Sequence, residues 1–322
     1  MDKLIISPSP HVHGGLSTNR LMGDVLVALL PAFAVSVWVF GVSALLVTAV
    51  AVASCVLFEA AIQKWALKRT DTLLPAVLTG VLLAFNLPSN IPLWLVAVGS
   101  FVAIAIAKMS FGGLGRNVFN PALVGRVFLL VAYPVQMTSF PEVVDSTTGA
   151  TPLAMAKGAL RSGQSVSDIM PNLDYLQMSL GQMSGSLGEV AAIALLLGGV
   201  YMLIRRTITW HIPVAVLGSM AVMTGVMHAS HPETYMDPMF HLLSGGAILG
   251  AVYMATDYVT SPMTAWGKII FGVGIGVVTV VIRVWGAYPE GMSFAILLMN
   301  ACVPLIDKAF RPRRFGKNHH RK

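Results

Sequence analysis

The stretch from Asp145 to Leu153, DSTTGATPL, contains the residues whose types and spacing point most directly to chemistry. Thr151 followed by Pro152 predicts the N-cap and the first residue of a helix, where a threonine side chain ordinarily pairs with a backbone N–H. A phosphate carried at such a position would meet free N–H groups and the positive end of the helix dipole. A helix cap and a phosphate attachment point are therefore compatible interpretations.

Two ionisable residues lie where an apolar environment is expected. Arg126 is eight residues into an apolar run and Asp257 ends a short one. A charge within a bilayer is costly unless it is solvated, paired or functional. We expect Arg126 to face the protein interior, whereas Asp257 is explained equally by a solvated helix end and by a role toward a ligand or a cation. Asp24 and Glu59 lie close to basic residues in sequence and are expected to form interfacial ion pairs.

The elements that must position these residues are apolar throughout. The 322-residue chain is 56% hydrophobic and 11% charged, against roughly 25% charged residues in an ordinary soluble domain. A membrane helix needs about 20 apolar residues to cross the hydrocarbon. Hydropathy predicts ten such spans, near 22–40, 42–62, 73–87, 92–107, 118–135, 188–204, 210–227, 242–256, 267–284 and 290–306. We therefore predict an all-α integral membrane protein.

The 21 Lys and Arg residues predict the orientation of these spans. With a cytoplasmic N-terminus, seventeen of them fall on the inner side, and only Lys157 and Arg161 fall clearly outside. The positive-inside rule then places both termini in the cytoplasm and the loop 136–187 on the outer face. Because the basic residues flank spans and do not interleave with aromatic residues on a soluble face, no nucleic acid partner is expected.

The two halves of the chain resemble each other. Spans three to five and spans eight to ten each contain a short apolar segment, a Pro-containing break, a span, and a Gly-rich opening of another span. Five is an odd number of spans, so a true repeat must be inverted in the membrane, where matching breaks mark binding sites. Chance likeness between apolar segments is the alternative. The predicted organisation is a first repeat (1–135), an outer loop (136–187), a second repeat (188–306) and a basic tail (307–322).

Several segments, in order along nearly the whole chain, resemble one family of membrane subunits. They include SPSPHVHGGLSTNRLMGDVLVALLPA, KMSFGGLGRNVFNPALVG, TTGATPLA and YPEGMSFAILLMNACVPLIDK. These are similar to the D subunit of the Rnf ion-translocating ferredoxin:NAD oxidoreductase and to the B subunit of the sodium-pumping NADH:quinone reductase. The latter carries a longer N-terminal region, whereas SPSPH here begins at Ser7, so the D-type subunit is favoured.

The resemblance implies two flavins. The pattern D-x-x-[S/T]-G-A-T is the acceptor for covalent FMN in that family, which implies an FMN phosphoester on Thr151, and the family is also associated with riboflavin toward the cytoplasmic side. Near Thr151 we expect an outer cleft formed by Thr148, Gly149, Ala150, Asn86, Ser244, Gly245, Gly246, Tyr288, Glu290 and Arg126. The inner cleft is expected to contain Asn117, Asn120, Thr256 and Asp257. No catalytic or metal-binding residue is predicted.

The implied function is electron relay within the bacterial inner membrane, coupled to Na⁺ or H⁺ translocation. The implied partners are a G subunit with its own covalent flavin, the A and E membrane subunits, a flavin transferase and lipid. A permease or channel built on an inverted repeat, with no cofactor, is the alternative from another class. The two cysteines fall inside predicted spans and predict no iron–sulfur cluster.

Overall fold

A computed structural model describes residues 17–68, 72–141, 148–149, 151–163, 175–181 and 184–311. Ala150, one of the predicted site residues, lies outside these described residues. The described chain is helical apart from two short strands, β1 (Phe140–Pro141) and β2 (Thr148–Gly149), which pair in antiparallel fashion.

The helices fall into two sets separated by a short-helix segment. The first set is α1 (Thr18–Phe40), α2 (Val42–Ile62), α3 (Leu74–Phe85), α4 (Leu93–Phe101) and α5 (Pro121–Ala132). The segment between the sets contains α6 (Pro134–Thr138), α7 (Pro152–Ser162) and α8 (Tyr175–Leu180). The second set is α9 (Ala192–Ile204), α10 (His211–Ser230), α11 (Pro238–Leu243), α12 (Ala247–Leu249), α13 (Ala265–Trp285) and α14 (Met292–Ala309).

Three helices continue as π-helical turns, and two short 3₁₀ turns connect others. The π turns are Gln63–Leu67 after α2, Val102–Ile106 after α4 and Gly250–Met254 after α12. The 3₁₀ turns are Met109–Phe111 and Glu189–Ala191.

Six helical segments in the described chain are long and apolar enough to cross a membrane. Four are α1, α10, α13 and α14, the fifth is α2 extended into its π turn (Val42–Trp65), and the sixth is α4 extended through the π and 3₁₀ turns that follow it (Leu93–Phe111). Helices α3, α5 and α9 are also apolar but shorter. The chain is therefore a multi-pass membrane protein. The predicted span 242–256 is interrupted, because Gly245 and Gly246 adopt left-handed φ angles of 65° and 62° between α11 and α12.

Two helical elements, α3 and the π turn after α12, end inside the protein. Their free carbonyl groups accept hydrogen bonds from the opposite half of the chain. At the end of α3, Phe85 and Leu87 accept from the backbone N–H groups of Gly188 (2.8 Å) and Leu187 (3.1 Å). At the end of the third π turn, the Met254 carbonyl accepts from Asn120 Nδ2 at 3.1 Å. Unpaired backbone groups are costly in hydrocarbon. The breaks thus persist because each is paired across the two helix sets.

Helices α1 and α9 approach closely at Gly198. The hydroxyl of Tyr253 donates to the carbonyls of Ala28 (3.2 Å) and Leu195 (3.0 Å), and so joins both helices to the π turn after α12. A Cβ atom at Gly198 would overlap the Ala28 carbonyl oxygen and the Tyr253 hydroxyl. The glycine is therefore required by the contact between the helix sets.

We predict that Gly198→Ala destabilises the chain by about 1–3 kcal/mol, since a methyl group there overpacks the contact. Gly218→Ala is the matched control, because Gly218 is also inside a helix but faces open space. Thermal unfolding of the detergent-solubilised protein measures both. Equal melting temperatures for the two variants would contradict the assigned contact.

Candidate functional site

Thr151 is the N-cap of α7, which confirms the predicted helix start. Its Oγ1 accepts a hydrogen bond from the Ala154 N–H at 3.2 Å, and Pro152 is the first helical residue. The residue is 4% exposed, so its hydroxyl lies inside the protein and not on a solvated loop. Any group esterified to this oxygen would occupy interior space.

A cavity with about 410 Å³ of empty space adjoins Thr151. Of the other residues predicted for the outer cleft, Arg126, Tyr288 and Glu290 line it. The remaining lining residues, which the sequence did not indicate, are Leu130, Met137, Thr138, Phe140, Ala154 and Pro289. Small-molecule sites typically have mostly apolar walls with a few polar groups. The cavity fits that description.

Arg126 provides the positive charge of this cavity. Its guanidinium forms an ion pair with Glu290 and donates to the Ser293 hydroxyl, and the arginine is 5% exposed. The prediction that Arg126 faces the interior is confirmed. Next to the pair, the ring of Tyr288 stacks on Phe294 with centroids 5.2 Å apart, which fixes the orientation of one cavity wall.

Thr148 and Gly149 reach the neighbourhood of the cavity through their backbone. In the β1–β2 pair, Gly149 lies opposite Phe140, which lines the cavity, and Thr148 lies opposite Pro141. The strand pairing therefore places the backbone of both residues beside the cavity wall.

The structure does not bring Asn86, Ser244, Gly245 and Gly246 to the lining of this cavity. Asn86 is turned toward the centre of the protein, where its Nδ2 donates to the Leu82 carbonyl (2.6 Å) and contacts Met254 Sδ (3.5 Å). Arg283 instead holds the turn 244–246 by donating to the carbonyls of Ser244 (2.8 Å) and Gly245 (3.1 Å).

A buried charge network connects the two arginines. Glu189 is 5% exposed and interacts electrostatically with both Arg126 and Arg283. Seven buried side-chain nitrogen or oxygen atoms in the described residues lack a hydrogen-bond partner, and four belong to this network: Arg126 Nε, Glu189 Oε1, His241 Nδ1 and Arg283 Nε. Such a concentration is typical of a site that ordered water or a ligand completes.

Lys157 fixes α7 onto the end of α13 and onto the connection between α13 and α14. Its Nζ donates to the carbonyls of Ile282 (3.0 Å) and Tyr288 (2.7 Å). Burial, together with the smaller effect of the neighbouring Arg161 charge, lowers the pKa of Lys157 to about 8. The helix that carries Thr151 is thus held against the residues that form the cavity wall.

A second and larger cavity, with about 780 Å³ of empty space, contains all four residues predicted for the inner cleft: Asn117, Asn120, Thr256 and Asp257. Asn120 Oδ1 accepts from the N–H groups of Ala122 (3.1 Å) and Leu123 (3.4 Å) and so caps α5. Asp257 accepts from the Thr260 hydroxyl at 3.1 Å. We call this space the inner cavity and the one at Thr151 the outer cavity.

Sequence reasoning did not identify Lys108, Tyr253 and Thr79, which also line the inner cavity. In the sequence Lys108 is only one of the basic residues that predict the membrane orientation. Its spacing from other residues does not distinguish it from them. The structure pairs it with Glu59, 49 residues away, at 2.6 Å. Likewise Asp24 pairs with Arg205 at 3.3 Å, so the ion pairs form across the fold.

Comparison with known proteins gives a consistent result along the whole chain. Residues 5–316 match the model of the NQR2, RnfD, RnfE family. The chain is 46% identical over 317 residues to the D subunit of the Na(+)-translocating ferredoxin:NAD(+) oxidoreductase complex of Acetobacterium woodii, covering 97% of this chain and 95% of the relative. It is 44% identical over 321 residues to the D subunit of the proton-translocating ferredoxin:NAD(+) oxidoreductase complex of Clostridium ljungdahlii, covering 97% and 96%.

We predict that Glu290→Gln destabilises the chain by about 3–5 kcal/mol, because it leaves the buried Arg126 charge without its partner. The double variant Arg126→Met with Glu290→Met should recover part of that loss, since no uncompensated charge remains. Glu233→Gln, at an exposed glutamate, is the control. Melting temperatures in detergent test this, and equal values for Glu290→Gln and Glu233→Gln would refute the pairing.

Proposed function

Because the chain belongs to the NQR2, RnfD, RnfE family, we propose that it is the D-type membrane subunit of an ion-translocating ferredoxin:NAD oxidoreductase complex. The match over residues 5–316 and the near-complete coverage of two D subunits support this assignment. Within the complex the chain relays electrons and has no complete active site of its own. One relative is named for Na⁺ and the other for protons, so the coupled ion is Na⁺ or H⁺.

Thr151 carries FMN as a phosphoester in this proposal. A flavin transferase would form the phosphoester between the threonine oxygen and the FMN phosphate by breaking the phosphoanhydride bond of FAD, so that AMP and the hydroxyl proton leave. When bound, the flavin would supply electron-transfer chemistry at this position. The buried position of Thr151 beside a cavity lined by Arg126 and Tyr288 carries the proposal. A phosphate at the N-terminus of α7 is stabilised by its free N–H groups and dipole.

The chain's own side chains orient that group and exclude water from it. Arg126 is the cation available to a phosphate or a ring carbonyl, and arginine is suited to such planar, bidentate recognition. Glu290 compensates its charge before flavin attachment. Tyr288, held by Phe294, and Phe140 supply flat apolar walls.

The inner cavity holds a second, non-covalent flavin, for which we propose riboflavin. Its walls are mostly apolar, and Asn117, Asn120 and Thr256 offer hydrogen bonds. Charge favours a flavin without a phosphate, because the one cation among the described lining residues, Lys108, is partly offset by Glu59 and the lining also contains the carboxyl group of Asp257. A phosphate group carries about 1.5 to 2 negative charges, more than this partly offset cation balances.

Helix α5 links the two cavities. Asn120 and Ala122 at its start line the inner cavity, while Arg126 and Leu130 further along line the outer one. Asn120 and Arg126 are six positions apart, about 9 Å at 1.5 Å per residue. This short separation supports electron passage through the chain from one flavin to the other.

We further propose ten spans in two inverted repeats, with both termini in the cytoplasm of a bacterium and the Thr151 loop outside. The tryptophans support the positions of the span ends, since all six are at least 55% exposed and lie near helix ends, as expected of residues at the membrane interface. In this topology Trp38, Trp94 and Trp285 lie at the outer interface, and Trp65, Trp210 and Trp266 lie at the inner one. The G, A and E subunits of the complex are the proposed partners.

We predict that the chain co-expressed with a flavin transferase fluoresces in a denaturing gel, and that Thr151→Ala abolishes this signal. Ser162→Ala is the matched control, because it removes an exposed hydroxyl at the far end of the same helix and leaves the acceptor pattern intact. Mass spectrometry should find one added FMN on the peptide containing Thr151. A fluorescent Thr151→Ala chain would refute the attachment site, and a wild-type chain without flavin would favour a permease.

The topology predicts opposite accessibility for Lys64 and Arg161, two positions whose side chains are at the surface of the described chain. In a background with Cys55→Ser and Cys302→Ser, Arg161→Cys should react with a membrane-impermeant maleimide in right-side-out vesicles. Lys64→Cys should react only after the vesicles are permeabilised. The reverse labelling pattern would contradict the proposed orientation.

A further inference from the structure

All three π-helical turns of the described chain lie next to the Glu59–Lys108 pair or the inner cavity. Gln63, in the first, donates from Nε2 to Glu59 Oε1 at 3.3 Å. The second, Val102–Ile106, ends two residues before Lys108, and the third contains Tyr253, which lines the inner cavity. Such turns are rare and are found mostly at functional sites. Their convergence singles out the Glu59–Lys108 pair beside the inner cavity.

Lys108 lies between a carboxylate and the cavity. Its Nζ is 2.6 and 2.8 Å from the two oxygens of Glu59, and the residues are 2% and 1% exposed. Lys108 also lines the inner cavity. A buried ion pair is costly to desolvate and is weak evidence of a stabilising role. The positive charge of Lys108 therefore acts on a ligand in the inner cavity. Glu59 pairs with Lys108 from outside the cavity lining and reduces the effect of that charge.

The other ionisable groups at the inner cavity determine how strongly the charge of Lys108 acts on a ligand there. Among the described lining residues Lys108 is the one cation, Asp257 is the one carboxylate, and Tyr253 and Tyr258 are neutral phenols. Burial raises the pKa of Asp257, and the hydrogen bond from Thr260 and the charge of Lys108 lower it in part. Lys108 is thus the group at the wall that can stabilise added negative charge.

We infer that Lys108 makes the inner cavity bind the reduced form of its flat conjugated ligand more tightly than the oxidised form, and that Glu59 weakens this preference. The inference rests on the flavin proposed for that cavity. An electron delivered by another redox group of the complex gives the ring one negative charge unless a proton follows. Lys108 lowers the free energy of that charged form, whereas the oxidised, neutral ring gains little from it. The charge of Lys108 therefore raises the reduction potential of the bound flavin.

The test uses the full chain with Thr151→Ala, so that no covalent flavin contributes, and riboflavin as the probe. In this background Lys108→Met should lower the midpoint potential of bound riboflavin and weaken binding of its reduced form about tenfold to a hundredfold, the range expected for one charge-assisted hydrogen bond. The affinity for oxidised riboflavin should change little. Spectroelectrochemical titration and fluorescence quenching measure these quantities.

Three variants separate this role from a structural one. Lys108→Arg should keep the wild-type potential, and Glu59→Gln should raise it, because the charge of Lys108 is then no longer offset. Lys64→Met, in the first π turn, should have no effect. Loss of fold would weaken both redox forms equally and would not raise the potential in any variant.

The inference is overturned if Lys108→Met and Lys64→Met give the same potential, or if Glu59→Gln leaves it unchanged or lowers it. It is also overturned if the Thr151→Ala chain binds no riboflavin. Should Lys108→Met fail to fold, the direction of the Glu59→Gln shift decides. None of these outcomes depends on the gel fluorescence at Thr151, so failure here is distinguishable from failure of the covalent attachment.

Discussion

The pairing of backbone groups at the interrupted helices is the constraint on which this structure depends. Helix α3 and the π turn after α12 both end inside an apolar protein, where free carbonyls are costly. The carbonyls of Phe85 and Leu87 are satisfied by the chain before α9, and that of Met254 by Asn120. Each helix set therefore requires the other, and the inner cavity lies beside the second break, where Tyr253 and Thr256 line it.

Buried charge is handled by the same rule of local compensation. Arg126 is paired with Glu290, Lys108 with Glu59, and Arg283 is surrounded by carbonyl oxygens. Each of these arrangements joins elements far apart in sequence. Arg126 lines the outer cavity and Lys108 the inner one, which gives each proposed flavin site one positive charge with a carboxylate partner. The charges thus serve both the cohesion of the helices and the chemistry proposed for the cavities.

The outer cavity gains its character from a helix that lies outside the predicted spans. Thr151 lies at the N-terminus of helix α7, and Lys157 of the same helix donates to one carbonyl of α13 and one of the connection that follows it. A loop threonine is thereby buried against the cavity that Arg126 and Tyr288 line. The attachment proposed for Thr151 follows from this docking, since an exposed threonine would leave a flavin in water.

The sequence by itself determined the membrane-spanning class, the cap at Thr151 and the interior position of Arg126. These depend on hydropathy, on local capping chemistry and on the cost of burying charge, all of which act within a short stretch of chain. It also indicated which residues carry amide and carboxylate groups near the breaks. Only the tertiary structure decided which of those groups meet.

Packing grouped Asn117, Asn120, Thr256 and Asp257 at one cavity and turned Asn86 away from the other. It also paired Lys108 with Glu59 across 49 residues, which no local pattern indicates. Partners of this kind are selected by how the helices pack and by which broken ends need hydrogen bonds. The spacing of residues along the sequence does not predict these partners, because spacing indicates only which residues are neighbours within one helix.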